Sequence, residues 1–403
     1  MFRERFSERS GHIINLVTSP ALESPTSETA AAPADVKRYQ RLKIAATLVN
    51  LAVTLAYFGV TALWLGPRIN DLVQHWLGEG RWPRLVALAF VYAAGLELLT
   101  LPIAFWSGFL LEHRYQLSNQ TFFAWLWHQV KGYLVGGPIG LVLLLGFYGF
   151  FWYTGAWWWL WATGGWLAAT LVLGRLLPVV ILPLFYKVTP LADANLLERL
   201  QRLAQGTGLA VEGVYRLHLS AETKKANAAL AGLGRTRRVL LGDTLLESFT
   251  PEEIEVVFAH ELGHHVHRHL MKMIVWSVVL ASVSFWLADR LLRVLAPALG
   301  YPGLDGLEPF QDPAALPLLL LIFMLFGLAI MPLQNALSRF FERQCDRYAL
   351  ERTGRPDAYR SAFEKLARQN KSDPDPHPLV VWFLYDHPPI RERLATADRF
   401  TTS

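Results

Sequence analysis

The 403-residue chain has one cysteine, Cys345, so no intrachain disulfide can form and nothing marks an oxidising compartment. It is also short of charge: Asp, Glu, Lys and Arg make up 18% of its residues, against about 25% in an ordinary soluble domain. No apolar run follows the early arginines, which excludes a secretory signal there. The net charge of +5 is not gathered into one stripe. That spread argues against a nucleic-acid partner and suits contact with anionic membrane lipids.

What fills the chain instead is apolar. Hydrophobic residues reach 53%, with 15 Trp and 23 Phe, and mean hydropathy is +0.26. This composition points to a membrane protein. Apolar runs of about bilayer length cover Ile44–Leu65, Leu85–Leu111, Tyr133–Tyr153 and Trp157–Val180. Two more follow, one starting near Met271 and one over Leu316–Leu333. Glu97 falls inside the second run, where a charge usually faces a bundle interior or a water-filled cavity, and Arg175 sits near the end of the fourth, where it can snorkel out. Residues 1–40, rich in Ser, Thr, Pro and Ala, read as a disordered tail. Lys37, Arg38, Arg41, Lys43, Arg114 and Lys131 flank the runs on one side. This bias puts both termini, and the polar segments 187–269 and 336–403, in the cytoplasm.

Phe258–His269 reads "FAHELGHHVHRH". It contains H-E-x-x-H at His260, Glu261 and His264. On a helix, residues four apart share a face, so both imidazoles can reach one Zn²⁺ while Glu261 reaches the open coordination position as general base. Thr250 is the expected N-cap, with Glu253 completing a capping box. The helix is expected to continue directly into the fifth span. On that continuous helix His265 and His267 turn away from the zinc face. His269 lies about 13 Å below His260 at 1.5 Å per residue, too far to be a ligand and better suited to packing or to supporting one.

Further segments surround this motif: "EHRYQLSNQTFFAW" from Glu112, "LPLFYKVTPL" from Leu182, "KKANAALAGLGRTRRVLLGDTLL" from Lys224, "SRFFERQCDRYAL" from Ser338 and "DHPPIRERL" from Asp386. With H-E-x-x-H, in this order, they resemble the type I CAAX prenyl protease family of integral-membrane zinc metallopeptidases, in a prokaryotic version. Two departures stand out: eukaryotic members have a further membrane helix ahead of Ile44, and Cys345 stands where the family usually has a small residue. The resemblance implies that Asn227 lies on or beside an edge strand that takes the substrate as an added strand; taken alone, Asn227 reads equally well as a turn residue. It implies that Asp346 orients a ligand histidine. It also implies that His387 stabilises the oxyanion or binds the substrate carbonyl, and that Arg393 contacts a substrate carboxylate or braces the site.

Two histidines leave a catalytic zinc one protein ligand short. Among Glu342, Cys345, Asp346 and His269, a helix carrying Glu342 turns Cys345 about 60° away, and Asp346 has the shorter arm. Glu342 is therefore the expected third ligand. The chain thus reads as an all-α polytopic membrane protein of about six transmembrane helices with a small mixed α/β, gluzincin-like zinc-protease region. Segment 41–186 holds four spans, 187–269 the edge strand and H-E-x-x-H helix, 270–335 two spans, and 336–403 the third ligand. The expected activity is zinc-dependent cleavage of peptides near a hydrophobic or prenylated C-terminus. The alternatives are a quality-control protease of the HtpX kind, disfavoured by six spans, and a non-catalytic scaffold with structural zinc, disfavoured by a three-ligand set with a free Glu.

Topology is directly checkable. A reporter fused after Ser403 should read cytoplasmic, and one inserted in segment 295–312, which has no Lys or Arg, should read exterior. Both reporters on one side would remove a span and defeat this arrangement.

Overall fold

The protein is described here by a computed structural model covering residues 33–208 and 213–401. Four helices long and apolar enough to cross a membrane come first: α1 (Ala34–Leu77), α2 (Arg81–Arg114), α3 (Phe122–Tyr153) and α4 (Gly155–Phe185). Residues 1–32 of the expected tail lie outside the described residues. Its last stretch is corrected, because the chain is already helical well before residue 40. Tyr39 explains this. It is 2% exposed, and its hydroxyl donates to Glu112 Oε1 at 2.8 Å, which anchors the first turns of α1 against the end of α2.

A small sheet follows, built from β1 (Val188–Pro190), β2 (Val214–Leu217), β3 (Ala228–Ala231) and β4 (Arg238–Gly242), with α5 (Ala194–Ala204) between the first two strands. The strand order is β1-β2-β4-β3. β2 and β4 run parallel, while β1 and β3 pair antiparallel with them. β3 therefore forms an edge. α6 (Asp243–Ser248) then leads to α7 (Pro251–Val266). The N-terminus of α7 is fixed as expected: Thr250 Oγ1 accepts from Glu253 N at 3.3 Å, and Glu253 Oε2 accepts from Thr250 N at 2.8 Å. Such a cap contributes about 1 kcal/mol.

α7 is buried on two sides, which fixes its rotation. Ile254, Val257, Phe258 and Leu262 pack on Val239 and Leu241 of the sheet and Leu200 of α5. Val256 and Ala259 pack on Ala349, Leu350 and Phe363 from the C-terminal part of the chain. α7 does not run on into the fifth span, and that expectation is corrected. Arg268 adopts a left-handed conformation (φ 55°), and a new helix, α8 (His269–Ala298), starts after it. The sixth span, α9 (Pro313–Thr353), continues far past Leu333 and carries Glu342, Cys345 and Asp346 on one rigid rod. Three shorter helices close the chain: α10 (Pro356–Gln369), α11 (Pro378–Leu384) and α12 (Ile390–Thr401).

The sheet and the C-terminal helices meet at the same end of the bundle. Glu112 ties the two parts together, accepting from Lys43 of α1 at 2.7 Å and from Lys225 ahead of β3 at 2.9 Å. Asn370 brackets Ala226, with Oδ1 accepting from Ala226 N at 2.9 Å and Nδ2 donating to Ala226 O at 3.1 Å. Together these hold Asn227 and the edge strand in place.

The opposite end of the bundle is locked by charge. Arg84 of α2 and Asp312 ahead of α9 are both 0% exposed and form an ion pair. Arg84 also donates to Asn70 Oδ1 at 3.0 Å, and Asp312 Oδ1 accepts from Ala314 N at 2.9 Å. Breaking such a pair leaves a buried charge alone, at a cost of about 3–5 kcal/mol, whereas an apolar pair of similar volume is often tolerated. Asp312→Ala should therefore lower the thermal unfolding midpoint in detergent sharply, and Arg84→Met with Asp312→Leu should restore most of the loss. Equal midpoints for the parent and Asp312→Ala would show that the pair does not hold this end together.

Candidate metal centre

α7 and α9 approach closely at one point. A Cβ added at Gly263 would lie 3.0 Å from Cys345 Cα, closer than real side chains normally pack, so glycine is what admits α9 there. One turn back along α9, Glu342 comes to lie over the two motif histidines. His260 Nε2 is 3.1 Å from Glu342 Oε2, and His264 Nε2 is 3.3 Å from Glu342 Oε1. Glu342 is 4% exposed, and its Oε2 has no hydrogen-bond partner. A buried carboxylate whose two oxygens each face an imidazole nitrogen fits the N, N, O donor set of a divalent cation.

The other ring nitrogens are engaged elsewhere. His260 Nδ1 lies 3.0 Å from Asp346 Oδ1, and Arg393 donates to both Asp346 oxygens, with its Nε at 3.0 Å from Oδ2. Asp346 and Arg393 are 2% and 7% exposed, and the guanidinium also lies 3.8 Å from the centre of the Phe363 ring. Burial alone would lower the pKa of His260, but the Asp346 and Glu342 carboxylates outweigh it and raise the pKa to about 9. The same negative field that holds a proton on His260 favours a metal cation.

Cys345 is the competing donor. Its sulfur and one nitrogen each of His260 and His264 lie within 4.8 Å of one another. Distance alone would therefore admit a thiolate. Two features disfavour it. Cys345 is 0% exposed beneath Gly263, and its Sγ lies 3.5 Å from His269 Nδ1. The Nε2 atoms of both motif histidines, by contrast, face the oxygens of Glu342.

Glu261 lies beside the cluster, with Oε2 accepting from Leu230 N of the edge strand at 3.1 Å. It borders two cavities. One of about 940 Å³ is lined by His264, His269, Leu270 and Met271 at the start of α8. The other, of about 510 Å³, is lined by Asn227, Phe363, His387 and Arg393. Asn227 is exposed just before β3 and faces this second cavity, while its carbonyl accepts from Gly242 N at 2.9 Å. His387 reaches the cluster from the loop ahead of α12, with Nε2 3.5 Å from Glu342 Oε2 and Nδ1 2.8 Å from Asp386 Oδ1. The Asp386 hydrogen bond, together with the nearby Glu342, raises the pKa of His387 despite partial burial.

The structure thus brings all eight expected site residues to one place. Three contacts add detail to the sequence reading. Of the two roles expected for Arg393, the geometry fits bracing: its fork donates to both oxygens of Asp346. His265 turns away from the motif face as expected, and its Nδ1 sits 2.7 Å from Arg237 Nη1. The break at Arg268 brings His269 Nδ1 to 3.2 Å from His264 Nδ1, so His269 contacts a motif histidine, in keeping with the supporting role expected of it. No glycine or proline marks that break in the sequence, so nothing there announced it.

Comparison with known proteins places the chain in a family. Residues 190–401 match the family model described as Peptidase family M48, and residues 26–187 match CAAX prenyl protease N-terminal, five membrane helices. Four spans lie in the second region among the described residues. The chain is 30% identical over 388 residues to an uncharacterized metalloprotease, YhfN, of Bacillus subtilis, covering 94% of this chain and 90% of that protein. It is also 30% identical over 322 residues to CAAX prenyl protease 1 of Saccharomyces cerevisiae, covering 75% and 69%. The crystal structure of S. mikatae Ste24p superposes with a TM-score of 0.77 at 24% identity, covering 93% and 91% of the two chains, a likeness of fold. With six candidate spans among the described residues and these matches over most of its length, the chain belongs to peptidase family M48 and is a multi-pass membrane metalloprotease.

Proposed function

We propose that the protein is a zinc endopeptidase that cuts peptides near a hydrophobic or prenylated C-terminal segment, at the cytoplasmic face of the membrane. The observation that carries this reading is the buried Glu342 carboxylate, each oxygen facing an Nε2 of H-E-x-x-H. Family membership implies a metal, generally zinc, and His260, His264 and Glu342 would hold it. Zinc, when bound, polarises the scissile carbonyl and acidifies water. The substrate class is supported by the yeast relative, whose name is CAAX prenyl protease 1, and by the apolar Leu270 and Met271 at the mouth of the larger cavity.

The chain's own residues then divide the work. The edge of β3 beyond Asn227 takes the peptide as an added strand, so backbone hydrogen bonds align it whatever its side chains. Glu261 accepts a proton from the attacking water on a carboxylate oxygen and passes it to the leaving amine. His387, its Nδ1 held by Asp386 and its pKa raised by that contact, donates from Nε2 in its imidazolium form to the carbonyl oxygen as it gains charge. Asp346, clamped by Arg393, fixes the ring of His260 so that its Nε2 lone pair points at the metal position.

Loss of a general base typically costs about 10²–10⁴-fold in rate. Glu261→Gln should lower kcat for a prenylated reporter peptide by at least about 100-fold while zinc content, read by elemental analysis, stays at the parent level. Cleavage at the parent rate would end the enzymatic assignment of Glu261. Trapping on this variant should favour the prenylated peptide over its unprenylated twin, and equal retention would remove the lipid from the substrate description.

The ligand set is tested separately. Glu342→Ala should lose zinc and activity together, whereas Cys345→Ser should lose neither. Zinc release from the Cys345 variant, with Glu342→Ala still loaded, would exchange the two roles.

A further inference from the structure

His264 has an uncommon neighbour. Its Nδ1 lies 3.2 Å from His269 Nδ1, and His269 Nε2 lies 2.9 Å from Gln344 Oε1. A metal-bound histidine usually gives its second ring N–H to a carboxylate, a backbone carbonyl or water; here the neighbour is another imidazole. His269 is held firmly: it is 2% exposed and lies nearly parallel to the Phe341 ring, with centres 4.2 Å apart and planes inclined by 15°.

Each contact needs one donor and one acceptor, and a neutral imidazole supplies one of each. With the Gln344 oxygen toward the ring, His269 carries its proton on Nε2, so its Nδ1 is the acceptor. The groups around that Nδ1 are then donors, namely the Nδ1–H of His264 and the S–H of Cys345, 3.5 Å away. His264 is left with its lone pair on Nε2, the atom that faces Glu342 at 3.3 Å. With the amide reversed, every proton shifts by one place. His269 would then donate to His264 Nδ1, and the His264 proton would sit on Nε2, where it blocks metal binding.

We propose that Gln344 and His269 form an uncharged relay that sets the tautomer and ring angle of His264 for metal binding. This rests on the reading of His264 as a ligand. Both are positioning residues, acting through His264. The two ligand histidines are therefore supported differently: His260 by the charged pair Asp346–Arg393, and His264 by neutral groups. A neutral support fixes geometry without adding a further negative charge beside Glu342.

The test uses the full-length protein in detergent, with zinc affinity read by chelator competition and the site read by the visible spectrum of the Co²⁺ form. His269→Phe keeps a ring against Phe341 but offers no acceptor, and should weaken zinc binding about 10–100-fold and alter the Co²⁺ bands. His269→Asn places Oδ1 near the lost Nδ1 and should recover most of that affinity. Gln344→Leu, at a half-buried position, should weaken zinc binding in the same direction. His269→Phe and Gln344→Leu proteins that hold zinc as tightly as the parent overturn the relay. A folded His269→Asn protein no better than His269→Phe overturns the acceptor role. If His269→Phe does not fold, Gln344→Leu decides. His264→Phe with undiminished zinc affinity would instead overturn the ligand reading, a result distinct from failure of the relay.

Discussion

The site depends on one backbone contact, that between Gly263 of α7 and Cys345 of α9. Any side chain at residue 263 would hold the two helices apart. The carboxylate of Glu342 would then no longer reach two imidazoles fixed by a separate helix. Close packing makes the distance between the helices a matter of tenths of an ångström, and metal coordination asks for that precision. In this arrangement Cys345 is a spacer. Its small side chain fills the gap under Gly263 and leaves the polar work to Glu342, one turn back, and to Asp346, the next residue.

That contact joins parts of the protein that are stabilised by different media. α7 is buried between the sheet and the C-terminal helices, an interior sealed by the hydrophobic effect. α9 is a single rod whose first half lies in the bundle and whose second half enters that interior. The hydrophobic effect does not drive helix association inside lipid, so the bundle relies on close packing and on buried polar locks such as Arg84–Asp312. At the other end Glu112 gathers Lys43, Lys225 and Tyr39 from α1 and the segment before β3. The edge strand is thus held to the membrane part as well as to the sheet.

Most of this was legible in the sequence wherever a local rule has a strong signal. Long apolar runs marked all six spans, Thr250 and Glu253 marked the start of α7, and the spacing of His260 and His264 marked the metal face. The position of Glu342 beside both histidines followed from arm length and helical phase. Relations that no local pattern encodes were harder to read. Arg268 takes a left-handed conformation without glycine, so the helix looked continuous and His269 looked remote. The commitment of Arg393 to Asp346 depends on how α12 packs against α9, which is set by burial around Phe363 and not by the residues near Arg393 in sequence. The start of α1 depended on a tertiary partner, Glu112, some seventy residues away.

The sealing of Cys345 has a practical consequence. The chain's only thiol is fully enclosed between two helices, and buried structural cysteines are inert. Any cysteine introduced on the surface is therefore the one site that a maleimide or nitroxide reagent can reach in the folded protein. Spin labels or fluorophores can be placed on the edge strand, on α8 or around either cavity without first removing a native thiol, leaving the packing at the metal centre untouched. The distances between these elements can then be followed in a lipid bilayer while peptides bind.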